Sequence, residues 1–197
     1  DSAELEMLLS RGWRKFGFYY FKPSCEGCAS CVPLRVLTRE FQLNRNLKEV
    51  AKKNRNTEVT FGPLEFSDEI YEIYRAHSIA RFGNSSSIDE FLMNFYMQSC
   101  PAIQSEYYID GSLAAVGFLD RSESGLSSVY FCFDPAYSSY SLGTYGAIRE
   151  IRHASEMGLP YYYLGYYIGE CERMRYKNRF RPNELYSWGE EEWRRQE

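Results

Sequence analysis

Apolar residues recur every three or four positions between residues 67 and 96, a period that predicts two helices. Ser67 is a suitable N-cap for the first helix, over 67–82, and Gly83 is a suitable C-cap. The second helix begins with a capping box at 87–90. Each helix is therefore expected to present one apolar face to a core.

The period then changes to alternation, which predicts β-strands. Three strands at 103–109, 112–119 and 126–133 form a meander, a helix follows over 142–157, and a further strand lies at 161–167. A meander that leads through a crossover helix to another strand is the central unit of the acyl-CoA N-acyltransferase (GNAT) fold. We therefore predict an α/β (α+β) protein with a GNAT-like acyltransferase core, in which helices flank a mixed sheet.

An N-terminal Cys-containing subdomain is predicted ahead of this core. We assign residues 1–60 to the subdomain, with an aromatic-rich strand at 16–21, and residues 61–197 to the GNAT-like domain. Because the chain opens at Asp1 rather than at Met, we expect the subdomain to be truncated upstream.

The composition is that of an ordinary globular protein, with 44% hydrophobic residues, 25% charged residues and a net charge of −4. No apolar run approaches the ~18 residues of a transmembrane helix, so no membrane partner is predicted. Six cysteines are too sparse for a disulfide scaffold, and three of them in one run favour a reducing compartment. We predict a cytoplasmic protein that acts as a monomer.

Positive charge is concentrated in three segments, 11–22, 45–55 and 171–182, each with a net charge of +4. A local basic groove for one phosphate-rich ligand fits this pattern, and three separate solvated faces are the alternative. Every odd residue from 173 to 181 is basic, so an extended segment would present all of them on one side with aromatic residues opposite. Cations beside tyrosine rings suit phosphates and unstacked bases.

The segment 141–145 opens the helix that follows the meander with small residues. Free backbone N–H groups and the helix dipole at such a position suit a phosphate, and an ordinary capped helix is the alternative.

Cys25, Cys28 and Cys31 place three thiols within seven residues. This spacing can direct the sulfurs to one zinc ion or iron–sulfur cluster, if a fourth ligand comes from elsewhere. A metal-free thiol loop and a reversible disulfide are the alternatives. No GxSxG, HExxH, Walker or GxGxxG motif is present, so serine hydrolases, zinc proteases, P-loop enzymes and dinucleotide-binding proteins have no support.

A set of short motifs extends from about residue 11 to about residue 185. The motifs are Gly-Trp-Arg at 12–14, Tyr-Phe-Lys-Pro at 20–23, the cysteine run at 25–35, Leu-Ser-Ser-Val-Tyr at 126–130, Asp-Pro at 134–135, Ser-Leu-Gly-Thr-Tyr at 141–145, Tyr-Leu-Gly-Tyr at 163–166 and Met-Arg-Tyr-Lys-Asn-Arg-Phe-Arg-Pro at 174–182. Together they resemble the aminoacyl-tRNA–protein transferases, namely the bacterial aspartate/glutamate leucyltransferases and, in the C-terminal half, the eukaryotic arginyltransferases.

The resemblance implies an aminoacyltransferase that moves an amino acid, with leucine as the expected donor, from charged tRNA to the N-terminal α-amine of proteins that begin with Asp or Glu. The product would be degraded through the N-degron pathway. An arginyl or mixed-donor enzyme, an acetyl-CoA-dependent N-acetyltransferase and a non-enzymatic Cys-centred RNA-binding module are the alternatives. The N-terminal segment usual in the family is not present in this sequence, and part of the acceptor site or a metal ligand is expected to be lost with it.

Aminolysis of an activated ester asks little of a protein, because an α-amine with a pKa of ~7.7–8 is partly neutral near pH 7. Positioning alone can supply up to roughly 7–11 kcal/mol, so the chemistry requires no cofactor. We predict Asp134 and Tyr130 as catalytic residues, and Arg35, Lys177 and Arg179 as the cations that bind the acceptor carboxylate. The residues predicted to contact tRNA are Ser141, Gly143, Thr144, Tyr145, Tyr166, Arg45, Lys48, Lys52, Lys53 and Arg55.

Overall fold

Helices and strands are distributed over the whole computed structural model, which describes residues 1–196. The helices are α1 (Ser2–Ser10), α2 (Arg45–Lys53), α3 (Asp68–Phe82), α4 (Ile88–Phe95), α5 (Leu142–Glu156) and α6 (Glu172–Arg175). The strands are β1 (Arg14–Phe16), β2 (Tyr19–Phe21), β3 (Val32–Leu37), β4 (Glu58–Gly62), β5 (Ala102–Ile109), β6 (Ser112–Arg121), β7 (Gly125–Phe133), β8 (Tyr161–Tyr167), β9 (Asn183–Ser187) and β10 (Glu192–Gln196). Within these residues, no helix combines the length and the apolar character that crossing a membrane requires.

One sheet of eight strands crosses the described part of the chain in the order β10-β9-β3-β8-β7-β6-β5-β4. Its neighbouring strands pair antiparallel except β7 and β8, which are parallel and are connected through α5. β1 and β2 form a separate hairpin. The predicted mixed sheet, with its β5-β6-β7 meander and its crossover helix, is confirmed.

Alternate side chains of β6 reach opposite faces of the sheet. Val116 and Phe118 pack in a cluster around Phe91 of α4, whereas Leu119 packs in a second cluster with Ile148 of α5. Full burial of each such side chain stabilises the fold by about 1.5–3 kcal/mol. The helices are thereby fixed on the sheet, and α5 is held beside the strands that it connects.

The capping residues predicted for α3 and α4 cap these helices in the structure. The Ser67 side chain accepts a hydrogen bond from the Ile70 backbone N–H, and Gly83 ends α3 with a φ of +81°. Ser87 and Glu90 form the expected capping box at the start of α4.

The single strand predicted at 16–21 is wrong, because the chain reverses within it. Gly17 adopts a φ of +56°, which lets a tight turn join β1 to β2 and places Arg14 opposite Phe21. The aromatic pattern does not distinguish one strand from the hairpin.

The extended segment predicted at 173–181 is also wrong. α6 is followed directly by a 3₁₀ helix at 176–179, so the basic residues do not share one side of a strand. Lys177 is half-buried, whereas Arg173, Arg175 and Arg179 are exposed.

Strands from both sides of the predicted boundary at residue 60 belong to one sheet. β3 pairs with both β8 and β9, and β4 forms the edge beside β5. The division into residues 1–60 and 61–197 stays a prediction.

Candidate active-site cleft

The central sheet divides between its two parallel strands. β7 and β8 pair only over Gly125–Ser127 and Tyr161–Tyr163. Beyond this point β7 continues along β6 as far as Phe133, whereas β8 continues along β3 as far as Tyr167. Because each strand keeps its outer partner and loses its inner one, a cleft opens between them.

A β-bulge lies in each strand close to where the pairing ends. Val129 has no partner in the β6–β7 register, and Leu164 has none in the β3–β8 register. A bulge bends its strand and increases the local twist, so two adjacent bulges account for the separation. After the second bulge, Gly165 adopts a φ of +89°, a conformation that favours glycine.

Arg14 of β1 fills the base of the cleft. Its Nη1 donates a hydrogen bond to the Tyr163 carbonyl at 3.2 Å, and its Nη2 donates one to the Ser128 carbonyl. The guanidinium therefore satisfies one carbonyl on each strand where the ladder has ended. Burial lowers the pKa of Arg14 from its ordinary value.

Lys177 lies beside Arg14 in the cleft. Its Nζ donates a hydrogen bond to the Tyr166 carbonyl at 2.9 Å. Burial, with the nearby charges of Arg14 and Arg81, lowers the pKa of Lys177 to about 8. A Cβ atom at Gly165 would lie 3.2 Å from this Nζ, so glycine lets the strand approach the ammonium closely. Two of the three ammonium N–H groups remain for a ligand.

The cleft has a volume of about 440 Å³ and a cationic, aromatic surface. The residues that line it are Arg14, Lys15, Phe16, Phe21, His77, Arg81, Phe82, Ser128, Val129, Tyr130, Phe131, Phe133, Gly143, Leu164, Gly165, Tyr166, Met174, Tyr176 and Lys177. No carboxylate belongs to this lining among residues 1–196. Lys15 is the one lining cation with a salt bridge in that range, to Asp120 at 3.1 Å.

The start of α5 faces the same cleft, and Gly143 is part of the lining. Ser141 adopts a left-handed conformation, with φ +56°, and its side chain does not cap the helix. Ser141 is exposed and Thr144 half-buried, whereas Tyr145 is buried in the core and its hydroxyl accepts a hydrogen bond from Arg149. The uncapped helix terminus can therefore offer backbone N–H groups to an anion, while Tyr145 serves packing.

The two residues predicted to be catalytic lie in different environments. Tyr130 lines the cleft, and burial raises its pKa. Asp134 accepts a hydrogen bond from the Ala136 backbone N–H at 2.9 Å and caps the 3₁₀ turn over 135–140. Asp134 is not among the residues that line the cleft, so its predicted catalytic role stays a prediction without support from its position.

Arg35 lies outside the cleft-lining set. Its Nε donates to Glu184 at 2.6 Å, and its guanidinium packs 3.7 Å from the Tyr161 ring centre and 4.3 Å from that of Trp193. These contacts already use its charge and its flat faces. Arg179 is exposed and also outside the lining. Of the predicted acceptor cations, the structure therefore brings only Lys177 into the cleft.

Helix α2 carries the predicted tRNA-contacting cations on an exposed surface. Lys53 donates a hydrogen bond to the Ser139 carbonyl and lies 5.9 Å from the Tyr140 ring centre. This contact joins α2 to the turn that leads into α5. The other predicted residues of this surface, all exposed, are Arg45, Lys48, Lys52 and Arg55.

The cysteine run is largely exposed in the part of the chain that the structure describes. Cys25 and Cys28 are exposed, Cys31 is half-buried, and the Cys28 Sγ lies 3.5 Å from the Ser30 hydroxyl. Within residues 1–196, no three Cys, His, Asp or Glu side chains converge as ligands would. Zinc or an iron–sulfur cluster at Cys25, Cys28 and Cys31 stays a prediction, and no chemical step is assigned to either.

A buried carboxyl group lies beneath the sheet. Glu150 of α5 accepts hydrogen bonds from the Ser105 hydroxyl at 3.0 Å and the Tyr162 hydroxyl at 2.5 Å. Burial raises the pKa of Glu150 to about 7. This group is outside the cleft lining and couples the stability of the core to pH.

Two cleft residues were not predicted from the sequence. They are Arg14, which bridges β7 and β8, and Arg81, which lines the cleft. The basic segment 11–22 was the available signal for Arg14, but its contacts with Ser128 and Tyr163 span more than 110 positions. No local pattern encodes such a pairing.

Two parts of the chain match the arginine-tRNA-protein transferase family. Residues 1–49 match its N-terminal part and residues 68–187 its C-terminal part. An aspartate/glutamate leucyltransferase of Thiobacillus denitrificans is 36% identical over 179 residues, which are 89% of this chain and 75% of that protein. The resemblance inferred from the sequence motifs is confirmed.

Solved structures agree at the level of the fold. FemX superposes with a TM-score of 0.56 at 10% identity, over 86% of this chain and 61% of its own. L-PGS from Bacillus licheniformis superposes with a TM-score of 0.52 at 14% identity, over 84% of this chain and half (50%) of its own. With both matched parts, the close relative and the cleft between β7 and β8 taken together, the chain belongs to the arginine-tRNA-protein transferase family.

Proposed function

We propose that this protein transfers an aminoacyl group from charged tRNA to the α-amine of proteins that begin with Asp or Glu. The observation that carries the proposal is the half-buried Lys177 ammonium in a cleft whose lining holds no carboxylate. Membership of the family and the name of the Thiobacillus relative support the reaction type. That the enzyme works as a monomer in the cytoplasm stays a prediction.

Lys177 and Arg81 are the groups best placed to bind the side-chain carboxylate of the acceptor. Both line the cleft, and neither forms a salt bridge within residues 1–196. A bound carboxylate would favour the charged form of Lys177 and raise its pKa again. This assignment replaces Arg35 as the acceptor-binding arginine, because Glu184 already neutralises Arg35.

The reaction itself needs little more than positioning. The neutral α-amine attacks the ester carbonyl carbon, a C–N bond forms, and the C–O bond to the terminal ribose breaks. The proton that the amine nitrogen loses balances the charge of the departing ribose oxygen. Tyr130 and the backbone N–H groups at the start of α5 can stabilise the oxyanion, because both face the cleft.

The charge of the lining also bears on the donor amino acid. An arginyl side chain would enter a cleft whose charged residues are Arg14, Lys15, Arg81 and Lys177, without a carboxylate to pair with. An apolar leucyl side chain can pack against the aromatic lining instead. We therefore infer leucine as the donor.

Two features support a path for the tRNA. The uncapped start of α5 suits a phosphate near the 3′ end, and Lys53 connects this region to the exposed cations of α2. The acceptor stem would then lie along α2, while the 3′ end enters the cleft.

The test is a transfer assay read by mass spectrometry. The purified chain is incubated with an Asp-starting peptide and, separately, leucyl-tRNA, arginyl-tRNA or acetyl-CoA. We expect the peptide to gain leucine alone, and the same peptide with an acetylated α-amine to gain nothing. Gain of arginine would overturn the donor assignment, and gain of acetyl alone would overturn the proposed reaction.

A further inference from the structure

A second concave surface lies at the open end of the β1–β2 hairpin, where residues 13 and 22 flank the two strands. It encloses about 520 Å³. It is called here the aromatic pocket, and its residues are Arg11, Trp13, Lys22, Tyr186, Trp188 and Glu191. Arg14 and Phe21, the paired terminal residues of the hairpin strands, line the cleft, whereas the adjacent Trp13 and Lys22 line the aromatic pocket.

The aromatic walls are held in place by the surrounding backbone. The Trp188 indole N–H donates a hydrogen bond to the Cys31 carbonyl at 3.0 Å. A Cβ atom at Gly12 would lie 3.0 Å from the Trp188 ring, so this ring packs directly on the backbone. Tyr186 meets Trp188 edge-on, with ring centres 5.1 Å apart. A ligand would therefore meet a preformed aromatic surface, which lowers the entropic cost of binding.

The charges of the aromatic pocket select against a cationic ligand. Lys22 lies with its ammonium 5.2 Å from the Trp13 ring centre. Arg11 and Lys22 are both exposed, and neither has a salt bridge in the described part of the chain. Glu191 is the one carboxylate in the lining. A net positive pocket beside the half-buried Trp13 ring suits an anionic ligand that carries a planar ring.

We propose that the aromatic pocket is a nucleotide-binding site, separate from the cleft, that takes a nucleobase against Trp13 and its phosphate at Lys22 and Arg11. A base that stacks on Trp13 replaces the Lys22 ammonium, which is then free to bind the phosphate. An unpaired nucleotide of tRNA and a free nucleotide offer the same chemistry. Binding requires no aminoacyl transfer, so the site stands or falls independently of the proposed reaction.

The experiment titrates the full chain with AMP and with the single-stranded RNA UUUA, which lacks the CCA sequence of a tRNA 3′ end, and follows binding by calorimetry and tryptophan fluorescence. Trp13→Leu should weaken both interactions by about tenfold or more, as expected when one stacked base is lost. Lys22→Met should weaken them several-fold, and Lys22→Arg should restore them. Lys22 is exposed, so the Lys22 variants keep the fold, and Arg152→Met provides the same charge change on an exposed position of α5.

Tighter binding of UUUA than of AMP, with both lost in Trp13→Leu, would assign the site to RNA. Equal or tighter binding of AMP, lost in the same variant, would assign it to a free nucleotide. Equal affinities for the parent, Trp13→Leu and Lys22→Met would overturn the proposal. Loss of binding in Lys177→Met with Trp13→Leu unaffected would place the nucleotide in the cleft and overturn it too. Quenching of tryptophan fluorescence by an Asp-rich peptide but not by AMP, absent in Trp13→Leu, would also contradict it.

Discussion

Replacing Lys177 with methionine tests the acceptor site most selectively. Methionine retains most of the side-chain length and removes the ammonium that lies 2.9 Å from the Tyr166 carbonyl. The variant leaves Arg14, which braces the two strands, in place. We therefore expect the cleft to keep its shape and to lose its main attraction for a carboxylate.

The magnitude follows from the hydrogen bonds at stake. A hydrogen bond between a charged donor and its partner is worth about 1.5–3 kcal/mol, which corresponds to roughly 10–150-fold in a rate or binding constant. That loss should fall on kcat/KM for an Asp-starting peptide. An Asn-starting peptide lacks the carboxylate, so its kcat/KM should fall little. The ratio of kcat/KM for the Asp-starting peptide to that for the Asn-starting peptide should therefore drop sharply.

The pH profile provides a second reading from the same assay. The charged form of Lys177 binds the acceptor, and its pKa is lowered to about 8, so binding should weaken as pH rises through 8. The acceptor α-amine must be neutral, with a pKa of ~7.7–8, so activity should also fall below this range. The parent should therefore show a bell-shaped profile, and Lys177→Met should lose the alkaline limb.

Arg179→Met is the matched control, because it removes a neighbouring cation that is exposed and outside the cleft lining. It should leave the ratio between Asp- and Asn-starting peptides unchanged. Lys177 does not bind the acceptor carboxylate if Arg179→Met lowers the Asp-to-Asn ratio of kcat/KM as strongly as Lys177→Met does, or if Lys177→Met leaves this ratio intact.

Three further variants probe other parts of the structure. Arg35→Met should lower the free energy of unfolding by about 3–5 kcal/mol, because it leaves the half-buried Glu184 without its partner, and should preserve the Asp/Asn ratio. Replacing Lys52 and Lys53 with alanine should weaken tRNA binding and flatten its dependence on log salt by roughly 0.7–0.9 per lost phosphate contact. Glu150→Gln should remove a pH dependence of stability. Folding raises the pKa of Glu150 from 4.5 to about 7, so the parent loses about 3 kcal/mol as pH rises through this window, and the glutamine variant does not.

Urea unfolding at pH 4 and pH 8 measures the first and third effects, and filter binding at several salt concentrations measures the second. If Arg35→Met changed the ratio of kcat/KM between Asp- and Asn-starting peptides, Arg35 would be assigned to the acceptor site again. A salt slope equal to that of the parent would remove α2 from the tRNA path. A parallel pH dependence in parent and Glu150→Gln would show that Glu150 does not titrate on unfolding.

The sequence predicts the core well because its signals are local. Strand alternation and the capping groups at Ser67 and Ser87 reflect short-range preferences that the tertiary structure retains. The segment 173–181 misled the prediction because alternating charges are compatible with a strand, whereas the chain forms two short helices there.

Local sequence patterns predict only some of the residues of the candidate site. Lys177, Tyr130, Tyr166 and Gly143 were predicted and do line one cleft. Arg35 was not separable from them by sequence, since its partner Glu184 lies 149 positions away on a neighbouring strand. The cleft depends on where the pairing of β7 and β8 stops. Two β-bulges determine that position, and no local sequence motif predicts them.

A crystal structure with a short RNA hairpin that ends in a non-hydrolysable 3′-leucylamido adenosine would show directly where the donor amino acid binds. We expect the leucyl group to lie between β7 and β8, with the amide carbonyl near the start of α5 and Lys177 unoccupied on the acceptor side. A leucyl group bound elsewhere on the protein, with this cleft empty, would contradict it.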